Sequence, residues 1–129
     1  MFARVSFRNL QKVSGLKLRS QSSYSKITKI ANLKDFESLI KNPSLSVIDF
    51  YATWCGPCKA MAPHLSKLVE EYPKVDFYKV DVDESSDIAK NCEVTAMPTF
   101  VFAKGGKLLG KLVGANPSGL EKGIKDLSG

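Results

Sequence analysis

Apolar residues fall along this chain in short blocks, and the spacing within each block points to the element it forms. Residues 45–52, Leu-Ser-Val-Ile-Asp-Phe-Tyr-Ala, are an almost continuous apolar run, the pattern of a strand covered on both sheet faces. Residues 74–83 contain a further strand, with Val75, Phe77, Tyr78, Val80 and Val82. Residues 26–30 alternate and predict a short strand. Residues 99–103 and 108–113 flank Lys104-Gly105-Gly106-Lys107, so the two runs pair as a hairpin. Helical spacing occupies the intervals. Leu33, Phe36, Leu39 and Ile40 follow Asn32, a capping residue with Asp35 three positions on. From about 57 to 72, Cys58, Met61, Leu65, Leu68 and Tyr72 make one stripe. Pro63 lies inside this helix and, lacking an N–H, predicts a kink. Ser86 is placed to cap a short helix through Lys90. Asn116-Pro117 opens a last helix with Leu120, Ile124 and Leu127 on one face. The order β-α-β-α-β-α-β-β-α predicts an α/β fold, a central mixed β-sheet flanked by helices on both faces.

A chain of 129 residues has room for one domain and one core system. No stretch approaches the 18 apolar residues of a membrane span, so no membrane partner is expected. Three cysteines are too few for a disulfide-stapled scaffold. The formal net charge of +6 invites a nucleic-acid reading, but its distribution opposes one. Arg4, Arg8, Lys12, Lys17, Arg19 and Lys26 supply the whole excess, and the remaining thirteen lysines match thirteen acidic residues. A nucleic-acid-binding domain keeps its charge on the folded part; this one is neutral there, and its size and neutrality predict a monomer.

Residues 1–25 are basic, serine-rich and free of acids. Wound as a helix, they place Arg4, Arg8, Lys12 and Arg19 on one side and Phe2, Leu10, Val13 and Leu16 on the other, although Lys17 spoils the apolar face. The unbroken apolar run of a secretory signal is missing. The segment therefore reads as a mitochondrial transit peptide, cleaved between Arg19 and Ser25, that delivers residues 26–129 to the matrix as one domain. The alternative is a disordered basic arm for acidic surfaces.

The chemistry lies in Tyr51-Ala52-Thr53-Trp54-Cys55-Gly56-Pro57-Cys58-Lys59, where the buried strand ends and the second helix begins. Cys58 belongs to the helix's inward stripe. Cys55 precedes the helix and is expected to sit exposed at its N-terminus, where free backbone N–H groups favour a thiolate. That asymmetry suits thiol–disulfide exchange: Cys55 is the nucleophile that forms a mixed disulfide, and Cys58 resolves it, leaving a Cys55–Cys58 disulfide. Gly56 and Pro57 keep the turn tight. A structural zinc site needs four ligands, and only Cys92 and His64 remain, so no metal is expected. His64 lies nine residues past Cys55, too far along the helix to act as its base. Cys92 reads as a half-buried structural thiol. Asp81, Asp83 and Ser85 hint at a calcium loop, but Ser86 stands where its glycine belongs and Cys92 where its last acid does.

Asp49-Phe50-Tyr51-Ala52, Trp54-Cys55-Gly56-Pro57-Cys58-Lys59, Met97-Pro98-Thr99 and Val113-Gly114-Ala115 together resemble the thioredoxin family. The resemblance spans residues 26–128 and, with the basic leader, points to its mitochondrial members. It implies the thioredoxin fold and a protein-disulfide reductase with no bound cofactor. Such a protein is recharged by thioredoxin reductase, which uses NADPH, and serves disulfide-containing clients such as peroxiredoxins. Asp49 matches the family's buried carboxylate: an Asp in an apolar strand is costly when ionised, so its pKa is expected to rise and suit proton transfer with Cys58. Lys79 matches a lysine near that carboxylate and is a candidate for tuning its pKa. Pro98 matches a cis proline facing the cysteines. Trp54, Met97, Pro98, Val113 and Gly114 are then the substrate-docking surface. Tyr51 departs from the tryptophan of many members. Two other readings stand beside the reductase. One is an oxidase or isomerase, whose members usually carry histidine where Gly56-Pro57 lie, and Gly56 and Pro57 are therefore expected to set the redox potential towards reduction. The other is a docking module in which redox chemistry is secondary.

Overall fold

The structure, a computed structural model, describes residues 26–128; the expected transit peptide, residues 1–25, lies outside them. The chain runs β1 (Thr28–Lys29), α1 (Leu33–Leu39), β2 (Ser46–Tyr51), α2 (Gly56–Ala60), α3 (Ala62–Glu71), β3 (Asp76–Asp81), α4 (Ser86–Asn91), β4 (Thr99–Lys104), β5 (Lys107–Val113) and α5 (Pro117–Ser128). The strands form one sheet in the order β1-β3-β2-β4-β5. β3 is parallel to β1 and β2, and β4 is antiparallel to β2 and β5, so the sheet is mixed as the element order predicts.

Two departures from the sequence pattern have local causes. The single helix expected from 57 to 72 is divided at Met61. Pro63 has no N–H to give the carbonyl of Lys59 and its ring crowds that carbonyl. The Met61 amide closes on Cys58 and Lys59 carbonyls instead, and Leu65 N–H returns to Met61 O at 2.9 Å to start α3. The second departure is the cap of α4. Ser85, not Ser86, stands at the N-cap and makes no side-chain cap bond; its hydroxyl donates to Ala31 O at 2.9 Å and ties α4 to the start of α1. The cap at Asn32 forms as its sequence predicts, with Oδ1 accepting from Asp35 N–H at 2.8 Å.

Strand alternation divides the core into two layers. Val47 on β2 and Phe100 and Phe102 on β4 pack with Leu65, Leu68, Leu120 and Ile124 of α3 and α5. Ile48, Phe50, Val80 and Val101 point to the other face and pack with Phe36 of α1 and Ile88 of α4. β2 is central and covered on both sides, which is why its run is continuous rather than alternating. It is the mount of the site that follows.

The β4–β5 hairpin is closed by Gly105 and Gly106 at φ +60° and +86°, the pair of positive φ angles that a two-residue type I′ turn requires. Their amides donate to Asn42 O and Ile40 O at 2.8 and 2.7 Å, which anchors the hairpin to the end of α1. Phe102 pairs with Gly110 but Ala103 with Leu108, so Leu109 is the extra residue of a β-bulge. α5 crosses β4 closely: a Cβ built on Gly123 would lie 2.7 Å from the ring tip of the buried Phe102. Gly123→Ala is predicted to lower stability by about 1–3 kcal/mol through this overlap, although Ala is the better helix former by about 1 kcal/mol. Urea unfolding checks it; a stabilised variant would show that the ring yields freely.

Candidate active site

β2 delivers the chain to Tyr51, and the backbone turns through Ala52 to α2, with Cys55 N–H on Ala52 O at 3.1 Å. Cys55 is the N-cap of α2, with extended backbone, and its sulfur accepts the N–H of Cys58 at 3.2 Å. Pro57 fits this first turn because its missing N–H would have no partner there. The three-residue step brings the two Cα atoms to 5.3 Å, and Cys55 and Cys58 are joined as a disulfide, within the usual range for such a bridge.

The expected exposure of Cys55 is not found. Cys55 is 4% and Cys58 8% accessible, so burial does not tell the two apart in the disulfide. Both pack with Ala52, against Tyr51, Val82 and Met97, and Cys55 Sγ lies 3.8 Å from the carbonyl oxygen of Met97. What distinguishes them is position on the helix: Cys55 caps it and receives an amide, whereas Cys58 lies within it on the buried side.

The peptide bond between Met97 and Pro98 is cis. This segment is held from two sides: Thr99 Oγ1 donates to Ala96 O at 2.6 Å, and Gly114 N–H donates to Pro98 O at 2.8 Å. Val113, the residue before that tie, pairs with Thr99 across the hairpin and is 58% exposed. Trp54, on the other flank of Cys55, is 68% exposed. Met97 is half-buried and packs against the two cysteines. Trp54, Met97, Pro98, Val113 and Gly114 are thereby brought to the neighbourhood of the disulfide.

Asp49 of β2 lines the same cavity as Cys58 and Lys59 of α2. It is 6% exposed, and its Oδ1 has no hydrogen-bond partner. Burial lifts its carboxyl pKa to about 7, with the Lys79 charge opposing the rise. Lys79 sits directly across from Asp49 in the parallel β2–β3 register, half-buried, with Nζ 6.0 Å from the centre of the Tyr51 ring. A cavity of about 240 Å³ connects the two reactive parts, lined by Asp49, Tyr51, Ala52, Thr53, Cys58 and Lys59. It has room for water between the carboxyl and the Cys58 side of the disulfide.

Other titratable candidates lie apart. His64 is exposed on α3. Cys92 is a free, buried thiol in the layer of α1 and α4, and burial pushes its pKa up to about 11, which makes it inert rather than nucleophilic at neutral pH. Among the described residues, no three His, Cys, Asp or Glu side chains are grouped to hold a metal ion. The residue that sequence reasoning missed is Asp83. Weighed there only as part of a calcium loop, it accepts a hydrogen bond from Trp54 Nε1 at 3.0 Å. Its partner is 29 positions away, so no local pattern announces it.

A Cys-x-x-Cys disulfide capping a helix at the end of a central strand, beside a cis proline, defines a thiol–disulfide oxidoreductase. The sequence model of the family "Thioredoxin" matches residues 27–126, and the chain belongs to the thioredoxin family. It is 67% identical over 110 residues to "Thioredoxin-3, mitochondrial" of Saccharomyces cerevisiae, covering 85% of this chain and 87% of that one. The crystal structure of the oxidised form of mitochondrial thioredoxin 3 from that yeast superposes with a TM-score of 0.79 at 68% identity, covering 81% of this chain and 99% of the other. A second solved chain comes from work on thiol resolution in a yeast mitochondrial 1-Cys peroxiredoxin via glutathione/thioredoxin systems. It superposes with a TM-score of 0.78 at 66% identity, covering 81% of this chain and 98% of that one.

A raised carboxyl pKa has a stability consequence. The folded state holds the Asp49 proton up to about pH 7, whereas the unfolded chain releases it near pH 4, so stability contributed by the neutral form falls as pH rises between those values. Asp49→Asn is predicted to be more stable than the wild type at pH 8, by up to about 4 kcal/mol, and the difference should vanish near pH 4. Urea unfolding of the oxidised proteins at both pH values checks this; an equal difference at the two would mean the carboxyl is not held neutral by burial.

Proposed function

We propose that this chain is the reducing dithiol of a mitochondrial thioredoxin system, acting on client-protein disulfides in the matrix. The observation that carries the proposal is the sulfur of Cys55 at the cap of α2, receiving the Cys58 amide, with the buried Asp49 lining a cavity shared with Cys58. In the reduced protein the Cys55 thiolate attacks one sulfur of a client disulfide. A Cys55–client bond forms, the client S–S bond breaks, and one client sulfur leaves as a thiolate. Asp49, poised near neutrality, takes the proton of Cys58 through the cavity they share. The Cys58 thiolate then attacks Cys55 Sγ; the Cys55–Cys58 disulfide forms and the second client thiolate leaves. The client gains two electrons; one departing thiolate takes the proton held on Asp49 and the other takes a proton from water, and the protein is left in the oxidised state.

Trp54, Met97, Pro98, Val113 and Gly114 serve as the docking surface, where the backbone beside Pro98 receives an extended client segment and the exposed Trp54 and Val113 add apolar contact. Lys79 tunes Asp49 across the strand pair. The oxidised form is returned to the dithiol by thioredoxin reductase with electrons from NADPH; the cofactor belongs to that enzyme. Peroxiredoxins are the client class favoured by the relative studied with a mitochondrial 1-Cys peroxiredoxin. Residues 1–25 act as the presequence, in keeping with their basic, acid-free composition and with the mitochondrial relative.

Cys58→Ser should accumulate mixed disulfides with client proteins through Cys55, seen as thiol-sensitive higher-mass bands on non-reducing gels. Cys55→Ser should accumulate few. The reverse pattern would exchange the roles of the two sulfurs.

A further inference from the structure

The segment between α4 and β4 brings Met97 to Cys55, and its starting point is a strained turn. α4 closes with the amides of Glu93 and Val94 on the carbonyls of Lys90 and Ala89 at 3.0 and 2.9 Å. This closure sets Glu93 at φ +56°, the one positive φ of a non-glycine residue among the described residues. Helix ends of this kind usually place glycine there, because a Cβ makes the conformation costly. The carbonyls of Cys92 and Glu93 are left over at the helix end, and Lys111 takes both. Its Nζ donates to Cys92 O at 3.3 Å and to Glu93 O at 2.7 Å. Lys111 reaches them because it stands opposite Val101 in the β4–β5 register, and Val101 belongs to the layer of α1 and α4; residues opposite one another across two strands share a face. Three residues further on, the Gly114 amide holds Pro98 O at 2.8 Å. β5 and the residue that follows it thus grip the segment at both ends, at Glu93 through a side chain and at Pro98 through backbone. Met97 lies between the two grips, its carbonyl oxygen 3.8 Å from Cys55 Sγ.

We propose that Lys111 is a positioning residue for client docking: its ammonium fixes the α4 end of the Met97–Pro98 segment, so that the Met97 backbone is already in place when an extended client chain binds. Lys111 touches neither sulfur and neither gives nor takes a proton in the exchange. A segment released at one end must be ordered again on association, and binding weakens by no more than the lost contact had contributed. For a hydrogen bond of this kind that is about two- to tenfold. The proposal rests on the reading of Met97 and Val113 as part of the docking surface.

The test compares wild type, Val113→Ser, Lys111→Ala and Lys111→Arg in single-turnover reduction of two disulfides, with thiol trapping to follow the Cys55–Cys58 pair. One is an end-blocked peptide of uncharged residues closed by a single disulfide, which the charge of Lys111 does not steer. The other is 2-hydroxyethyl disulfide, too small to lie along the Met97 backbone. Lys111→Ala should raise the half-saturating peptide concentration about fivefold, while the limiting rate changes less than about twofold. Its rate with the small disulfide should stay within about twofold of wild type. Lys111→Arg keeps a charged donor and should restore peptide binding. Val113→Ser should raise the half-saturating peptide concentration as well. If it does not, the docking surface has been misread and the proposal falls with it. If Val113→Ser raises it and Lys111→Ala does not, the surface is real and Lys111 does not position it. If Lys111→Ala slows the small disulfide as much as the peptide, Lys111 acts on the sulfurs or on the fold as a whole, and the proposal is overturned.

Discussion

A helix begins at the sulfur of Cys55, and the amide of Cys58 points back at that sulfur from 3.2 Å. A thiolate in this position exchanges water for an oriented N–H donor, whereas a thiolate at Cys58 would sit inside the helix beside a carboxylate. This difference lets two chemically identical side chains take different parts. It does not depend on exposure, since both sulfurs are nearly fully buried when bonded together. It depends on the chain turning from strand to helix within four residues, so that the first cysteine caps and the second is already wound in.

That turn is held by elements far from it. β2 supplies the rigid approach because both of its faces are packed, with Val47 in one layer and Ile48 and Phe50 in the other. The same strand carries Asp49, whose burial is a by-product of the central position and whose raised pKa is the useful consequence. The divided helix lets α2 and α3 meet at Met61 without a proline forced into a continuous ladder. The opposite wall comes from β4, which begins just after the cis Pro98 and is clamped to the hairpin through Gly114. Strand, helix and loop converge on one pair of sulfurs, and each is a terminus of an element whose body lies in the core.

Much of this was legible in the sequence because local patterns state it. The glycine pair between apolar runs specified the hairpin turn, Asn32 and Asp35 the first cap, and the Cys58–Met61–Leu65–Leu68 stripe the face that the reactive helix buries. The motif around Cys55 identified the chemistry and the family. What stayed hidden was set by tertiary contact. Cys55 is covered by the Met97 segment, 42 residues away, which no local rule foresees. Ser85 rather than Ser86 took the N-cap position of α4, and its hydroxyl went to the carbonyl of Ala31 instead of capping the helix. Asp83 found Trp54 across 29 residues, and the strand order β1-β3-β2-β4-β5 is likewise a matter of global packing.

The central claim is that this site donates electrons rather than removing them, with Gly56 and Pro57 in place of the histidine usual in oxidising relatives. The reduction potential of the Cys55–Cys58 couple, measured by equilibration in defined thiol buffers followed by thiol trapping, tests it most directly. A value near about −270 mV is predicted, as for reducing thioredoxins, and one near about −180 mV, as for disulfide isomerases, would contradict the account. The gap between them corresponds to roughly 4 kcal/mol for a two-electron couple, well beyond the error of the measurement.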